Sequence, residues 1–228
     1  MQNPNGPFQD LNNPAGQPAT QPATQPVARM APAEDNRFRY SNYLVRRQFL
    51  KLLGAAFFVD NPSGATVLYA NQKAFKLKED IRLYTGEDKT QEVLTIKARS
   101  ILDLGATYDV WDAATGQKIG ALRRSGLKSM LKDEWKILDA QDNEVGIIEE
   151  ENMVLALVRR FIDYATFFLP QEYHGKIGHR DVLHFKQRKN PFLMKIEIDF
   201  SMDNEGILDR RLGIAAAILM CAVEGKQH

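Results

Sequence analysis

Three histidines stand at equal intervals in the second half of the chain: His174, His179 and His184. Imidazole nitrogens are common metal ligands, so this spacing has to be tested as a metal site. On a continuous strand, residues five apart lie on opposite faces, so these three side chains would converge only around a bend. Gly175 and Gly178 could supply a bend, but we find no cysteine or carboxylate at ligand spacing. We therefore predict no metal site.

Basic residues recur in pairs along the chain: Arg46-Arg47, Arg123-Arg124, Arg159-Arg160, Arg188-Lys189 and Arg210-Arg211. The best candidates for a shared anion-binding face flank the central turns of the sequence; they are Lys76, Lys78, Arg123, Lys128 and Lys132. Cations near an anionic lipid surface contribute about 1 kcal/mol each, which suffices for weak, salt-sensitive binding to phospholipid headgroups. The alternative is a set of solvated exterior charges balanced by Asp and Glu, and the near-neutral total favours it.

Arg210 and Arg211 form the last of these pairs and stand near the start of an apolar C-terminal segment. A helix dipole disfavours cations at the N-terminus, so we expect carboxylates to compensate them. The possible partners are Asp209, Asp199 and the acids of 149–151. We interpret the pair as part of a structural ion cluster, with an anion-binding site as the alternative.

Motifs for common catalytic chemistry are missing from the sequence. It contains no nucleophile elbow, phosphate-binding glycine loop, HExxH pair or CxxC pair. Carboxylates are plentiful, but a sequence cannot place two of them across a cleft, so acid–base chemistry is neither supported nor excluded. Aromatic residues such as Tyr108 and Trp111 are expected to face inward as core rather than to stack on bases. We predict neither an enzyme nor a nucleic-acid-binding protein.

The elements that position these residues belong to a chain of 228 residues with a formal net charge of +1 and one cysteine. This net charge creates no field that would attract nucleic acid or an anionic membrane, so an electrostatic partner needs a local patch. The sequence shows no signal-like segment and no apolar run of about 20 residues. We expect a cytoplasmic protein that is at most peripheral at a membrane.

Residues 1–35 differ in composition from the rest. They hold seven of the ten prolines, an imperfect QPAT repeat and only two charges before Glu34. Such a segment buries too little apolar surface to offset the entropy of ordering, so we predict a disordered tail followed by a domain at 36–228. We interpret the tail as a spacer, with a docking site for an unknown protein partner as the alternative.

From residue 36 to 203, apolar and polar residues alternate in stretches separated by short polar turns, which is typical of half-buried strands. Four segments predict antiparallel hairpins: AAFFVDNPSGATVLYA, DIRLYTGEDKTQEVLTIK, YDVWDAATGQKIGALRR and WKILDAQDNEVGIIEEE. In the first of them, Pro62 and Gly64 supply turn dihedrals. We expect about twelve strands between Arg47 and Ser201.

Two segments have helical character. Met153 to Leu169 follows a run of acids and ends before Pro170. Ile207 to Glu224 has Asp203 or Asn204 as its expected cap and includes Cys221, expected to be an inert core thiol. Its apolar part spans about 18 Å, against about 30 Å for a bilayer core, so we expect protein around it. The pattern predicts an all-β fold in which an antiparallel barrel closes around this helix.

Four segments also resemble the tubby-like C-terminal fold, in the branch that contains LURP-one-related proteins and phospholipid scramblases. They are NQKAFKLKEDIRLY (71–84), the stretch 95–139, KNPFLMKIEIDF (189–200) and LDRRLGIAAAIL (208–219). The resemblance implies a twelve-stranded barrel around a C-terminal hydrophobic helix. It is specific for the fold and says little about function.

Scramblase-type sequences place a calcium-binding acidic segment before the last helix, and here the matching stretch is 199–209. Aligned with a calcium loop, it has oxygen ligands at positions 1, 3 and 5, but Asn204 replaces the turn glycine and Arg210 replaces the bidentate glutamate. Asp199, Asp203 and Asp209 are therefore weak calcium candidates. We expect no cofactor and no calcium binding tighter than about millimolar.

The resemblance implies a non-enzymatic module that associates with anionic phospholipid headgroups at a membrane surface. The alternative is a soluble scaffold or stress-related interaction protein with no lipid role, as many LURP-one-related members have no assigned biochemistry.

Overall fold

A computed structural model of the chain describes residues 35–50, 54–72, 80–100, 105–125, 134–151, 171–189 and 193–224. The predicted tail, apart from Asp35, and the predicted helix at 153–169 lie outside these ranges. The division of the chain into a tail and one domain therefore stays a prediction.

Twelve antiparallel strands close into a barrel, which confirms the predicted fold class. They are β1 (Asn42–Leu50), β2 (Gly54–Asp60), β3 (Thr66–Gln72), β4 (Ile81–Tyr84), β5 (Glu92–Ser100), β6 (Thr107–Asp112), β7 (Lys118–Arg124), β8 (Glu134–Leu138), β9 (Glu144–Glu150), β10 (Gln171–Ile177), β11 (Arg180–Lys189) and β12 (Leu193–Asp199). Each strand pairs with the next along the chain, and β1 pairs with β12 to close the sheet.

One end of the barrel, which we call the turn end, carries the short turns 61–65, 85–91, 113–117, 139–143 and 178–179. Polar side chains organise three of these turns. Asn61 accepts hydrogen bonds from the amides of Ser63 and Ala65, Asp112 accepts from Thr115, and Asp139 accepts from Gln141 and Asn143. These are the Asx contacts that make short polar turns favourable, and they lie where the sequence predicts them.

The opposite end, which we call the connection end, is where the strands are joined by residues 51–53, 73–80, 101–106, 125–133, 151–170 and 190–192. Because the strands alternate in direction, the strand ends that these six connections join all lie at this end of the barrel. Lys76, Lys78, Lys128 and Lys132 belong to two of them and lie outside the described residues.

The C-terminal helix α1 (Arg210–Glu224) runs from the turn end into the barrel, and its residues from Leu212 to Ala222 are buried. Gly213 is necessary for this packing: a Cβ there would lie 2.6 Å from two ring atoms of Phe200. Cys221 is buried in the core, as predicted. Within the described ranges, no helix combines the length and apolar composition that crossing a bilayer requires.

Helix α1 begins three residues later than predicted, because Asp209 rather than Asp203 or Asn204 caps it. The Asp209 carboxylate accepts from the amide of Arg211, and its carbonyl accepts from Leu212. Asp203 instead accepts from the amides of Ile207 and Leu208 and shapes the turn before the helix.

The sequence predicted that Tyr108 and Trp111 both face the interior, and this is correct only for Tyr108. Tyr108 faces the interior, where its ring centroid lies 6.1 Å from that of Trp135. Trp111 lies on the outer face, and the Nζ atom of Lys97 is 5.4 Å from its ring centroid. The two residues are three positions apart on β6, and side chains alternate between the faces of a strand, so they cannot both face the interior.

Candidate functional site

Chemically active side chains of the described residues gather on the outer wall of the barrel, across β9 to β12. In two adjacent rows of the sheet, the outward positions hold five carboxylates, two imidazoles and one ammonium. We call this set the acidic–histidine face: Glu149, Glu151, Glu172, His174, His184, Lys186, Glu197 and Asp199. The face therefore combines negative charge with metal-ligating groups.

At the centre of this face, His174 on β10 lies directly opposite His184 on β11. Their ring centroids are 4.7 Å apart. The Nε2 atom of His174 is 3.2 Å from Oε2 of Glu151, and the Nε2 atom of His184 is 3.5 Å from Oε2 of Glu172. Each imidazole therefore has a carboxylate beside it.

The sequence argument required a bend for the three histidines to converge, and the structure places a turn between them. They do not lie on one strand, because the turn 178–179 separates β10 from β11 and leaves His179 exposed at the turn end. The sequence argument also missed the carboxylates, since Glu151 and Glu172 reach the imidazoles across strands.

A bulge in the hairpin sets the histidine pairing. Lys176 pairs with Asp181 and Gly175 pairs with Leu183, so Val182 is the extra residue on β11. Without it, His174 would face Leu183 instead of His184. Gly175 allows this packing, because a Cβ there would lie 2.5 Å from Cγ of Leu183.

Next to His184, a cleft of about 460 Å³ opens between the barrel wall and the β2–β3 turn. Its walls come from β1, β11 and β12 on one side and from Asn61, Pro62 and Gly64 on the other. Four charged side chains line it: Asp60, Lys186, Glu197 and Asp199. Three of these are acids, so the cleft continues the negative charge of the acidic–histidine face.

Asp60 lines this cleft, and three hydrogen bonds fix its side chain. Its carboxylate accepts hydrogen bonds from Arg46 at 2.5 and 2.9 Å and from the Thr66 hydroxyl at 2.7 Å. Burial alone would raise the pKa of Asp60, but these hydrogen bonds and the charge of Arg46 outweigh it and hold the pKa below its ordinary value. The carboxylate is therefore ionised and structurally engaged.

The weak calcium candidates do not converge on one point. Asp199 accepts from the amide of Ser201, Asp203 accepts from two backbone amides, and Asp209 pairs with Arg211 at 2.5 Å. Gly206 has a φ of +63°, so it supplies a turn. Each of the three carboxylates thus contacts the local backbone or an arginine. The prediction that calcium does not bind more tightly than about millimolar stays untested.

Arg211 anchors an ion cluster at the turn end. Its guanidinium lies 2.5 Å from Asp209 and 2.6 Å from Asp112 on β6. Burial alone would lower the pKa of Arg211, but the two carboxylates outweigh this effect and raise it. Asp209 was among the predicted partners, whereas Asp112, 99 residues away, was not.

Arg210 has a different role from its neighbour. Its Nη1 atom donates to the backbone carbonyls of Arg39 and Tyr40 at 2.7 and 2.6 Å, and its guanidinium lies 5.6 Å from the ring centroid of Phe200. It thereby ties the helix start to the segment that precedes β1.

Arg123 is the only one of the five predicted headgroup contacts that falls within the described residues. It lies half-buried near the end of β7, and its Nε atom donates to the Thr107 hydroxyl at 3.2 Å. It faces the exterior close to the connection end, where the segments that contain Lys76, Lys78, Lys128 and Lys132 begin and end.

Comparison with protein families gives a match over most of the domain. A family model described as LURP-one-related matches residues 66–220, from β3 into α1. No curated protein matches the chain.

Proposed function

Because the chain belongs to the LURP-one-related family, we propose that it is a non-enzymatic module that associates with anionic phospholipid headgroups through the connection end of its barrel. The observation that carries this proposal is the unequal distribution of charge between the two ends of the barrel.

The six connections of the connection end contain eight Lys and Arg against six Asp and Glu. The turns of the opposite end, together with the β12–α1 connection at 200–209, contain one Lys against seven Asp and Glu. The strands strengthen this difference, since the pairs Arg123-Arg124 and Arg188-Lys189 are the last two residues of β7 and β11. A barrel charged in this way would approach an anionic surface with its connection end first.

Apolar residues alternate with the cations in the same connections, for example Phe75 and Leu77 between Lys73, Lys76 and Lys78. The longest connection, 151–170, contains the apolar stretch MVLALV next to Arg159-Arg160. Mixed basic and apolar composition is typical of segments that bind at a lipid interface, where buried apolar area and electrostatic attraction add.

The test is co-sedimentation of the full chain with liposomes of phosphatidylcholine alone or with about 30% phosphatidylserine, at low and high salt. We expect binding only to the anionic vesicles and weakening by salt. Lys78→Glu and Lys128→Glu should each weaken binding about fivefold or more, since each cation contributes about 1 kcal/mol.

Lys89→Glu is the matched control, because it makes the same charge change at the turn end, where Lys89 is exposed. It should leave binding unchanged. Equal effects of Lys78→Glu and Lys89→Glu would show that net charge, not the connection end, drives association. No binding under any condition would reject the proposal and leave a scaffold without a lipid role.

A further inference from the structure

We propose that Glu151, His174 and His184 form a binding site for a divalent transition-metal ion of the zinc class on the outer wall of the barrel. This inference does not rest on the proposed headgroup binding: the two imidazoles lie on β10 and β11, and only Glu151, the first residue of the connection 151–170, belongs to the connection end.

Geometry is the first argument. One ligand atom from each of the three side chains lies within 4.8 Å of the ligand atoms of the other two. Zinc binds nitrogen and oxygen ligands at about 2.0–2.2 Å, so ligand atoms around one ion lie within about 4 Å of one another. Small side-chain rotations therefore bring the three groups to bonding distance. Glu151 is exposed and the two imidazoles are partly exposed.

The backbone already holds the two imidazoles together. His174 and His184 form a direct cross-strand pair, and such pairs have Cβ atoms about 4.5–5.5 Å apart. The Val182 bulge and Gly175 fix this pairing, so an ion would find both imidazoles on one face without any rearrangement of the sheet. This preorganisation distinguishes the pair from two histidines on a loop.

The electrostatic surroundings favour a cation. Five carboxylates and a single lysine occupy the outward positions of the acidic–histidine face, and the ammonium of the neighbouring Lys176 lies 3.8 Å from one of these carboxylates, Glu149. Glu172 lies next to His184, with its Oε2 atom 3.5 Å from Nε2 of that imidazole, and its carboxylate is 2.8 Å from the ammonium of Lys186. Glu172 can therefore orient His184 through a hydrogen bond, as carboxylates beside metal-binding imidazoles do.

The chemical types of the three ligands indicate which metal ions the site would prefer. Two imidazole nitrogens and one carboxylate oxygen suit zinc and its first-row neighbours, whereas calcium and magnesium prefer oxygen ligands throughout. Three protein ligands also leave at least one coordination position open to water. The site is thus distinct from the calcium segment at 199–209.

Isothermal titration of the untagged full chain with zinc chloride at pH 7.5 tests the proposal, with cobalt chloride as a spectroscopic probe. We expect one zinc ion per chain, and cobalt absorption bands typical of nitrogen and oxygen coordination. His184→Gln and His174→Gln should each weaken zinc binding at least tenfold. Glu151→Gln tests the third ligand at an exposed position that the fold does not need, with an expected loss of about threefold to tenfold.

His179→Gln is the matched control, since His179 is exposed in the turn next to the same hairpin. It should bind zinc like the unchanged protein, and the thermal midpoint of each variant without metal serves as the folding control. Zinc should also raise the midpoint of the unchanged protein and not that of His174→Gln/His184→Gln. Equal zinc binding by that double variant, or an equal loss in His179→Gln, would overturn the proposal.

Discussion

The Nη1 atom of Arg47 on β1 lies 2.7 Å from the carbonyl oxygen of Cys221 in the last turn of α1. Arg47 is 6% exposed and points into the barrel, where its guanidinium lies 5.9 Å from the ring centroid of Phe57. Carbonyls in the last turn of a helix lack intrahelical donors and carry partial negative charge. Arg47 therefore donates a hydrogen bond to the buried carbonyl of Cys221. Its positive charge also interacts favourably with the negative C-terminal end of the helix dipole.

Replacing Arg47 with methionine should lower the free energy of unfolding by about 2 kcal/mol, because a buried hydrogen bond from a charged group is lost. Urea denaturation checks this value. Arg82→Met is the control: Arg82 forms an ion pair with Glu92 on the exposed exterior, and its loss should cost less than about 0.5 kcal/mol. Equal stability of the two variants would contradict the role given to Arg47.

Gly213→Ala should destabilise the fold by about 1–3 kcal/mol, since the new methyl group overlaps the Phe200 ring. A loss of stability would be informative, because replacing glycine with alanine at an exposed position inside a helix raises stability by about 1 kcal/mol. Thermal denaturation measures it. Combining it with Phe200→Leu should recover part of the loss relative to the sum of the single changes. Strict additivity would show that the ring is not the obstacle.

Arg211→Ala should lower the free energy of unfolding by about 3 kcal/mol, because it leaves the buried Asp209 carboxylate without its counterion. Arg180→Ala removes an exposed ion pair with Glu205 at the same end of the barrel and should cost at most about 0.5 kcal/mol. Thermal midpoints of both variants decide between the two interpretations of Arg211. An unchanged midpoint with lost liposome binding would favour an anion site instead.

Asp60 makes stability depend on pH. Its pKa is lower in the folded protein than in the unfolded chain, so its contribution is complete above the unfolded value and is lost as pH falls through the folded value. Asp60→Asn should therefore destabilise the protein more at pH 6 than at pH 2.5. Urea denaturation at both pH values, with the exposed Glu87→Gln as control, measures the difference. A deficit that stays constant with pH would exclude this linkage.

Local patterns predicted most of the fold. The turns begin at Asn61, Asp112 and Asp139 because each side chain can bind amides two to four residues onward, which is a short-range preference that a sequence displays. The C-terminal helix was predictable because Leu212 to Val223 is apolar on every face, and only a surrounding barrel satisfies it.

Features that depend on register or on distant partners were not predictable. The His174–His184 pair exists because one residue, Val182, is inserted in β11, and nothing in the residue types marks a bulge there. Asp112 meets Arg211, and Arg47 meets Cys221, only after the barrel has closed. Asp209 replaced Asp203 as the helix cap because Asp203 is committed to the preceding turn, a competition between two equally suitable acids.

The order of synthesis has a consequence for how this barrel forms. The seam between β1 and β12 joins the first strand to the last, and α1, which occupies the interior, follows every strand in the chain. A nascent chain can pair neighbouring strands as hairpins, but it has no interior to pack them on until residues 210–224 leave the ribosome. Completion therefore depends on contacts between residues far apart in sequence, which slows folding and leaves open sheet edges exposed in the meantime. We therefore expect the chain to need chaperones mainly at this late stage, when α1 has to enter the barrel before β1 and β12 pair.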